Sequence, residues 1–585
     1  MSGGGGGGAS KKRRFLSPKR IQELVWDSGS EETAASSDST SEEGGGFQDE
    51  PGALNLQPNN PTSRSQASST SMSTSVSDGC QSGSGQQWTR APGPQRDVVH
   101  TFKGGSRGKR NSEAPHINDS SSPLNVFLLY FAEIIKLLVV ETNKYYHGHL
   151  GRLDEGPSPL TDVTEAEMLV FLALKIQMGH CIRDKLTDYW SRAENFHTTF
   201  YTNAMKRDRF LHILRFLHFT DNKNEPDVTD VNSDRLWKMR NLFDILKEKF
   251  SKFYSPSEHL AVDEVIVKFK GHVIFRQYIP KKHKRFGIKI YKLCDETGYT
   301  YDMTVYLGRD RQRTAQHLTA THATVSELTK KIQGRGHKLY MDNYFSSPDL
   351  FDDLATKQIY CCGTVRPNRK GMPQDLNPKR TTLKRGDLQV RTRGDLTTIV
   401  WRDKRDVHIL TNIHDAPAEG NFCDTNRKAI KPQIVADYNR HMGYVDKGDR
   451  MANSYSINRR TWKWTKKLFF HLFDLAILNS CILFSSLGGK KISHRDFRNT
   501  LMWNLLAQAG HERNVQRPVG RPPAAAHPLP RFEERGRKHW PIPSVTRRRC
   551  RMCSEKGVAR NVKMKCQRCD VGLCCNSTCF RDYHN

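Results

Sequence analysis

The 585 residues contain no run of roughly 20 clean apolar residues, the length that a bilayer-spanning helix needs. The two most apolar stretches, Val126 to Val140 and Phe469 to Phe484, are broken by Glu133 and Lys136 and by His471, Asp474 and Asn479, so no membrane partner is expected. Acidic residues are also short, 62 Asp and Glu against 92 Lys and Arg, which leaves a net charge of +30. Such an excess points to a polyanion, and nucleic acid is the first candidate. Large apolar residues are scarce from Met1 to Ser120, where Ser, Gly, Thr, Asn and Gln dominate. That composition cannot bury enough surface to offset chain entropy, and residues 1–120 are predicted to be a disordered tail. Its 13 basic and 13 acidic side chains cancel, so the whole +30 lies beyond it. Near Met1 there is no apolar stretch of the secretory kind. The chain opens instead on Gly3 to Gly8, then Lys11 to Arg14, Lys19 and Arg20, a basic run that suits nuclear import and gives the nucleus as the expected compartment. Ser28 and Ser39, each with an acidic residue three positions on, fit phosphorylation of this tail by an acid-directed kinase.

Beyond the tail, length alone predicts roughly three to five folded units. Leu124, Phe127, Leu128, Phe131, Ile134, Ile135 and Leu138 repeat at helical spacing. Thr164 with Glu167 makes a capping box that opens a helix over Met168 to Met178, and the same period recurs over Phe210 to Phe219 and Leu236 to Phe250. Residues 121–255 are therefore read as a helical domain. From Leu260 to Phe269 the pattern turns to β-branched alternation, and Phe286 to Leu293 with Tyr299 to Leu307 reads as a hairpin across Cys294 to Gly298. A helix over Val325 to Ile332 and a short strand over Lys338 to Met341 complete a mixed α+β core across 256–365. Residues 366–393 carry nine Lys or Arg against Asp375 and Asp387, net +7, and begin a basic insertion over 366–433. Helical periodicity returns over 434–510, followed by an Arg/Pro-rich linker over 511–548 and a cysteine-rich segment over 549–585.

Phosphodiester cleavage with two bound metals needs carboxylates converging from different elements, because hard cations take oxygen ligands and a pair about 4 Å apart must be bridged. The sequence offers such a set. Asp263 interrupts an apolar strand, where an unpaired carboxylate is costly to bury. Asp342 follows the strand Lys338 to Met341 directly, and Asp446 and Asp449 are three apart, so a helix turns both the same way. Singly, each is as well explained by a strand end or a helix cap.

The chain resembles the piggyBac transposases and the vertebrate proteins derived from them. The resemblance is carried in order by Val262-Asp-Glu264 before Phe269-Lys-Gly271, Gln277-Tyr-Ile-Pro280, Phe286-Gly-Ile-Lys289, Met341-Asp-Asn-Tyr-Phe345, Gly363-Thr364 with Asn368-Arg-Lys-Gly371, Met442-Gly443 through Asp446 and Asp449, Trp464, and Asn479-Ser480. It implies an RNase H-like catalytic core in which Asp263, Asp342 and Asp446 hold two Mg²⁺ ions, with Asp449 as a further acidic residue. It also implies a dimerisation and DNA-binding role for 121–255, a homodimer, and double-stranded DNA partners in the form of transposon ends and TTAA targets. Trp464 resembles the family aromatic placed near flanking DNA, where stacking on an unpaired base is reasonable; a core tryptophan on a helix is the competing reading. In the basic insertion Arg366, Arg369, Lys370, Lys384 and Arg385 are the candidate phosphate contacts.

Seven of the 14 cysteines fall after Arg549. Cys550-x-x-Cys553 and Cys566-x-x-Cys569, followed by Cys574, Cys579 and His584, have the spacing of two zinc sites. Two tetrahedral sites take eight ligands, and these are seven; Cys575 or His539 is left as the eighth. Four residues separate Cys574 from Cys579 where related sequences have three, which leaves Cys574 and Cys575 as alternatives. Two functions are thus expected: a transposase that cleaves and joins DNA strands, or a domesticated nuclear protein that binds DNA or chromatin without catalysis.

Overall fold

The computed structural model describes residues 87–90, 100–153, 160–194, 196–227, 230, 233–280, 284–308, 318–378, 382–488, 491–515, 539–575 and 577–584. The basic run at Lys11 to Arg14 and the serines at 28 and 39 lie outside them. Two compact units are present rather than three to five, one through Arg513 and one from Asn514.

The first unit is built on a ten-stranded mixed sheet. After a short β1 (Gly108–Lys109) and its partner β2 (Tyr254–Ser255), the strands are β3 (His259–Lys268), β4 (Gln277–Tyr278), β5 (Phe286–Asp295), β6 (Thr300–Val305), β7 (His337–Met341), β8 (Ile359–Thr364), β9 (Asp387–Arg393), β10 (Leu396–Arg402), β11 (Asp406–Thr411) and β12 (Gly420–Asn421). β3 pairs antiparallel with β5 and parallel with β7, and β7 runs parallel to β8. The order β6-β5-β3-β7-β8 gives the α+β, RNase H-like mixed sheet expected from the resemblance. The basic insertion is not irregular chain: β11 pairs with β8, and β10, β9 and β12 carry the same sheet outward. Alternation in Leu388, Val390 and the run Leu396 to Trp401 was masked in sequence by the surrounding Lys, Arg and Gly.

Eleven helices belong to this unit among the described residues: α1 (Pro123–Leu153), α2 (Glu165–His180), α3 (Thr199–Ala204), α4 (Arg207–Phe216), α5 (Trp237–Phe253), α6 (Ala320–Thr329), α7 (Pro348–Thr356), α8 (Gln433–His441), α9 (Tyr444–Asn453), α10 (Trp464–Ser485) and α11 (His494–Val515). The Thr164–Glu167 capping box is formed in both directions. The helical region at 121–255 does not stand alone, because its apolar faces close on the C-terminal helices and the sheet. Phe127 stacks on Phe131 at 5.0 Å, Phe131 meets Phe473 of α10 at 5.1 Å, and Tyr130 shares a hydrogen bond of 3.0 Å with Tyr299. α1 and α10 are long and apolar enough to cross a membrane by length and composition. In α10 every residue from Leu468 to Phe484 is buried within the protein, which is why it is apolar all round. Two of its polar members are met internally, Asn479 by both backbone groups of Thr300 and Asp474 by Arg498, while the His471 Nε2 has no hydrogen-bond partner.

Two boundaries differ from the composition-based reading. Residues 100–120, assigned to the disordered tail, are docked: Lys103 donates to the Arg335 carbonyl, β1 pairs with β2, and Ala114 and Ile117 are buried. Few apolar residues suffice there because backbone pairing supplies the rest. The linker at 511–548 is shorter than its composition suggests, since α11 runs to Val515 and the second unit begins its strand β13 at Pro541.

Candidate functional site

Val262 of β3 is the parallel partner of Met341 of β7. Asp263 and Asp342, each one residue further on, therefore leave neighbouring strands on one face of the sheet. Lys292 of β5, the register partner of Asp263, shares that face. Tyr438 of α8 senses both acids: burial first, then Asp342, Cys362 and Asp263, push its phenol up to about 12, against a hydrogen bond shared with Thr364 that works the other way. Asp263 accepts from the Glu264 N–H at 2.7 Å, and Asp342 accepts from that of Tyr344 at 2.9 Å. The loop after Asp342 is held by Arg369, whose guanidinium donates to the carbonyls of Asn343, Tyr344 and Ser346 at 2.8–3.1 Å.

α9 brings the remaining acids. Gly448, between them, lets the helix press against the β5–β6 turn, where a Cβ on Gly448 would lie 2.6 Å from the Gly298 carbonyl oxygen. Gly298 itself has φ +88°. Asp446 is exposed in the first turn of α9, and Asp449 is half-buried one turn on, with Lys284 Nζ 3.4 Å away. Burial alone would raise the Asp449 carboxyl, but Lys292, His471 and Lys284 together hold it below the usual carboxylate range. His471 is pushed down to about 3, mainly by burial and then by Lys292. Lys292 is itself lowered by burial, and its Nζ has no hydrogen-bond partner.

The set formed by Asp263, Asp342 and Asp446 is oxygen-only and partly exposed, the donor chemistry that Mg²⁺ takes. Among the described residues, the groups of three or more candidate ligands whose atoms all lie within 4.8 Å of one another are both in the C-terminal unit. Asp263, Asp342 and Asp446 are not such a group.

The other candidates fall into two groups. Trp464 at the start of α10 is half-buried, edge-on to Phe275 at 5.3 Å, while its neighbour Trp462 is 57% exposed. Arg366, Lys370, Lys384 and Arg385 are exposed, and Arg385 pairs with Asp403 at 3.1 Å. Arg369 differs from them, for its guanidinium is engaged with the loop behind Asp342. Lys284, Lys292 and His471 were missed in sequence. For the two lysines a signal existed: between Val265 and Cys294 there are nine Lys or Arg and no Asp or Glu, a stronger bias than that of the insertion.

In the second unit β13 (Pro541–Arg549) pairs with β14 (Asn561–Cys566), and the short helices α12 (Arg551–Glu555) and α13 (Cys579–His584) flank them. Cys550, Cys553, Cys574 and Cys579 form one group, and His539, Cys566, Cys569 and His584 the other. Within them Cys553 Sγ lies 3.8 Å from Cys574 Sγ and 3.6 Å from Cys579 Sγ, and His539 Nδ1 lies 3.5 and 3.4 Å from the sulfurs of Cys566 and Cys569. A tetrahedron with zinc bonds of about 2.1–2.3 Å has edges of about 3.4–3.8 Å, so these side chains fit zinc. His584 directs Nδ1 to the Phe580 carbonyl at 2.7 Å, which turns Nε2 toward Cys569. The eighth member is thus His539. Cys574 rather than Cys575 completes the first group; Cys575 is exposed, with its sulfur 3.9 Å from the Leu573 carbonyl. The two groups interleave along the chain, bracing 46 residues from His539 to His584 that have only a small apolar cluster around Leu573 and Tyr583.

The chain belongs to the piggyBac/IS4 transposase family: the family description "Transposase IS4" matches residues 122–481, which hold Asp263, Asp342 and the α9 pair. It is 25% identical over 468 residues to human piggyBac transposable element-derived protein 3, covering 77% of this chain and 74% of that one. With human piggyBac transposable element-derived protein 2 it shares 26% over 517 residues, 85% of this chain and 81% of the relative. Its fold matches that of the piggyBac transposase solved as a synaptic complex with hairpin DNA, with a TM-score of 0.62, 24% identity, and coverage of 81% of this chain and all of the other.

Proposed function

We propose that the protein is a DNA transposase that cleaves and rejoins strands at TTAA sites in the nucleus, acting as a homodimer on transposon ends. The observation that carries this reading is the emergence of Asp263 and Asp342 side by side from β3 and β7, with Asp446 and Asp449 supplied by α9, in a chain of this family. Asp263, Asp342 and Asp446 would hold two Mg²⁺ ions, which when bound supply polarisation of the attacking oxygen and stabilisation of the leaving one. The chain's own residues do the rest. Arg369 fixes the loop that carries Asp342, Gly448 sets the depth of α9, and Lys284 and Lys292 keep Asp449 ionised beside the other acids. Exposed Arg366, Lys370, Lys384 and Arg385, with Trp464, are placed in this reading along the DNA, and the phosphate contacts are sequence-blind. A zinc-braced module with Arg547, Arg549, Arg551 and Lys563 exposed would present a rigid basic face to the transposon end.

A second reading, a domesticated DNA- or chromatin-binding protein without catalysis, is favoured by one fact: the human relatives carry the name transposable element-derived. Incubating the full chain in Mg²⁺ with duplexes in which TTAA borders the DNA flanking its own gene separates the two. Strand breaks at the TTAA border support the first. Binding without breakage, with the protein folded, supports the second.

A further inference from the structure

At the outer edge of the sheet Tyr278 of β4 and Phe286 of β5 are register partners, stacked at 4.5 Å with 27° between ring planes. Both are exposed, Tyr278 by 57% and Phe286 by 36%. The Arg276 guanidinium lies 5.6 Å from the Phe286 ring centre and is tied to the carbonyls of Lys270 and Gly271. An aromatic pair on an outer strand is an apolar liability unless something covers it. Its surroundings specify the charge of that cover: Lys268, Lys270, Arg276 and Arg285 are exposed around it, within a span of 30 residues that has no carboxylate.

Pleat parity adds a direction. Phe286, Ile288, Ile290 and Lys292 alternate onto one face of β5, the face that carries Asp263 opposite Lys292. The aromatic pair therefore shares a face with the carboxylates, about 20 Å away along the strand at about 3.3 Å per residue. Lys284, just before Phe286, already reaches Asp449. A second protein copy or an apolar peptide would leave the uninterrupted positive charge uncompensated; a polyanion with exposed aromatic faces satisfies both features.

We infer that Tyr278 and Phe286 form a stacking platform for unpaired bases of the DNA end handled by the acidic site, with Lys268, Lys270 and Arg276 on its phosphates. The inference rests on the transposase reading and goes beyond it by naming single-stranded bases as the ligand and this edge as their seat. Base stacking on aromatic side chains is sequence-tolerant and is lost on truncation to alanine.

The test is binding of the full chain to two labelled probes, a blunt duplex and the same duplex with a thymine tail at one end. Tyr278→Ala and Phe286→Ala are expected to weaken the tailed complex on the order of tenfold and the blunt one by no more than about twofold. Tyr278→Phe is expected to keep the wild-type preference, and Lys268→Gln with Lys270→Gln to weaken both probes together. Equal losses on the two probes, or no loss, overturn the platform. Tyr278 is the more exposed of the pair, so Tyr278→Ala keeps the test open if Phe286→Ala does not fold. Wild-type protein that binds neither probe refutes DNA binding itself; wild-type binding without preference for the tail refutes only the platform.

Discussion

Asp263 and Asp342, 79 positions apart in sequence, stand at the same level on adjacent parallel strands because Val262 and Met341 are register partners. Neither strand could slip by one residue without turning its carboxylate into the opposite layer, since successive side chains alternate between faces. The apolar runs around them, Leu260 to Val262 and Leu339 to Met341, are fully buried and hold that register. The acidic pair is thus a by-product of how the core packs.

Arg369 separates a positioning role from phosphate contact. Arg369→Gln removes donors from three loop carbonyls and is expected to cost about 1–2 kcal/mol of stability, whereas Lys370→Gln, on an exposed side chain, should stay within about 0.5 kcal/mol. Thermal melts in the absence of DNA check this. Equal melting temperatures for the two variants would show that the carbonyl contacts of Arg369 are dispensable.

Metal content tests the ligand assignment. The full chain is expected to return two zinc ions from its C-terminal unit, Cys575→Ser to return two as well, and Cys574→Ser or His539→Ala to lose one. Removal of zinc by a chelator should unfold the module, whose small core cannot hold it without metal. Elemental analysis after gel filtration gives the counts, and loss of zinc from Cys575→Ser would reverse the choice between neighbouring cysteines.

Two half-buried imidazoles give a pH dependence. His180 is pushed down to about 4 and His494 to about 3, each first by burial and then by Arg498, with Arg495 adding to the first and His180 to the second. Arg498 is itself buried and paired with Asp474 at 3.2 Å. Between about pH 6.5 and 4 the unfolded chain binds protons at these positions and the folded chain does not, so stability must fall as pH drops through that window. Denaturant midpoints measured from pH 7 to pH 4 should decline, and the slope should be shallower in His494→Phe. An unchanged slope would place the acid sensitivity elsewhere.

Much of this was legible in sequence where local pattern and tertiary demand agree. The strand around Asp263, the short strand before Asp342, the capping box at Thr164 and the hairpin across Gly298 all announce themselves by period and turn chemistry. The docking of residues 100–120 was hidden because it depends on backbone pairing with distant segments, which leaves little trace in composition. The pairing of β11 with β8 was hidden for the same reason, as sequence shows strands but not their neighbours. His539 could only be separated from Cys575 by geometry, since it lies 11 residues before the first cysteine of the cluster and spacing rules do not reach it. Lys292 sits inside an apolar strand, where its charge makes sense only once Asp449 is brought over it by α9.

Asp263 and Asp342 are proposed to form one metal-dependent cleavage site. The direct measurement is strand breakage of a labelled duplex with a TTAA border, in Mg²⁺, by the wild-type chain, Asp263→Asn and Asp342→Asn, each shown to be folded and to bind the same duplex. Breaks are expected from the wild type and none from either variant at unchanged DNA affinity. Breakage by either variant at the wild-type rate would contradict the assignment.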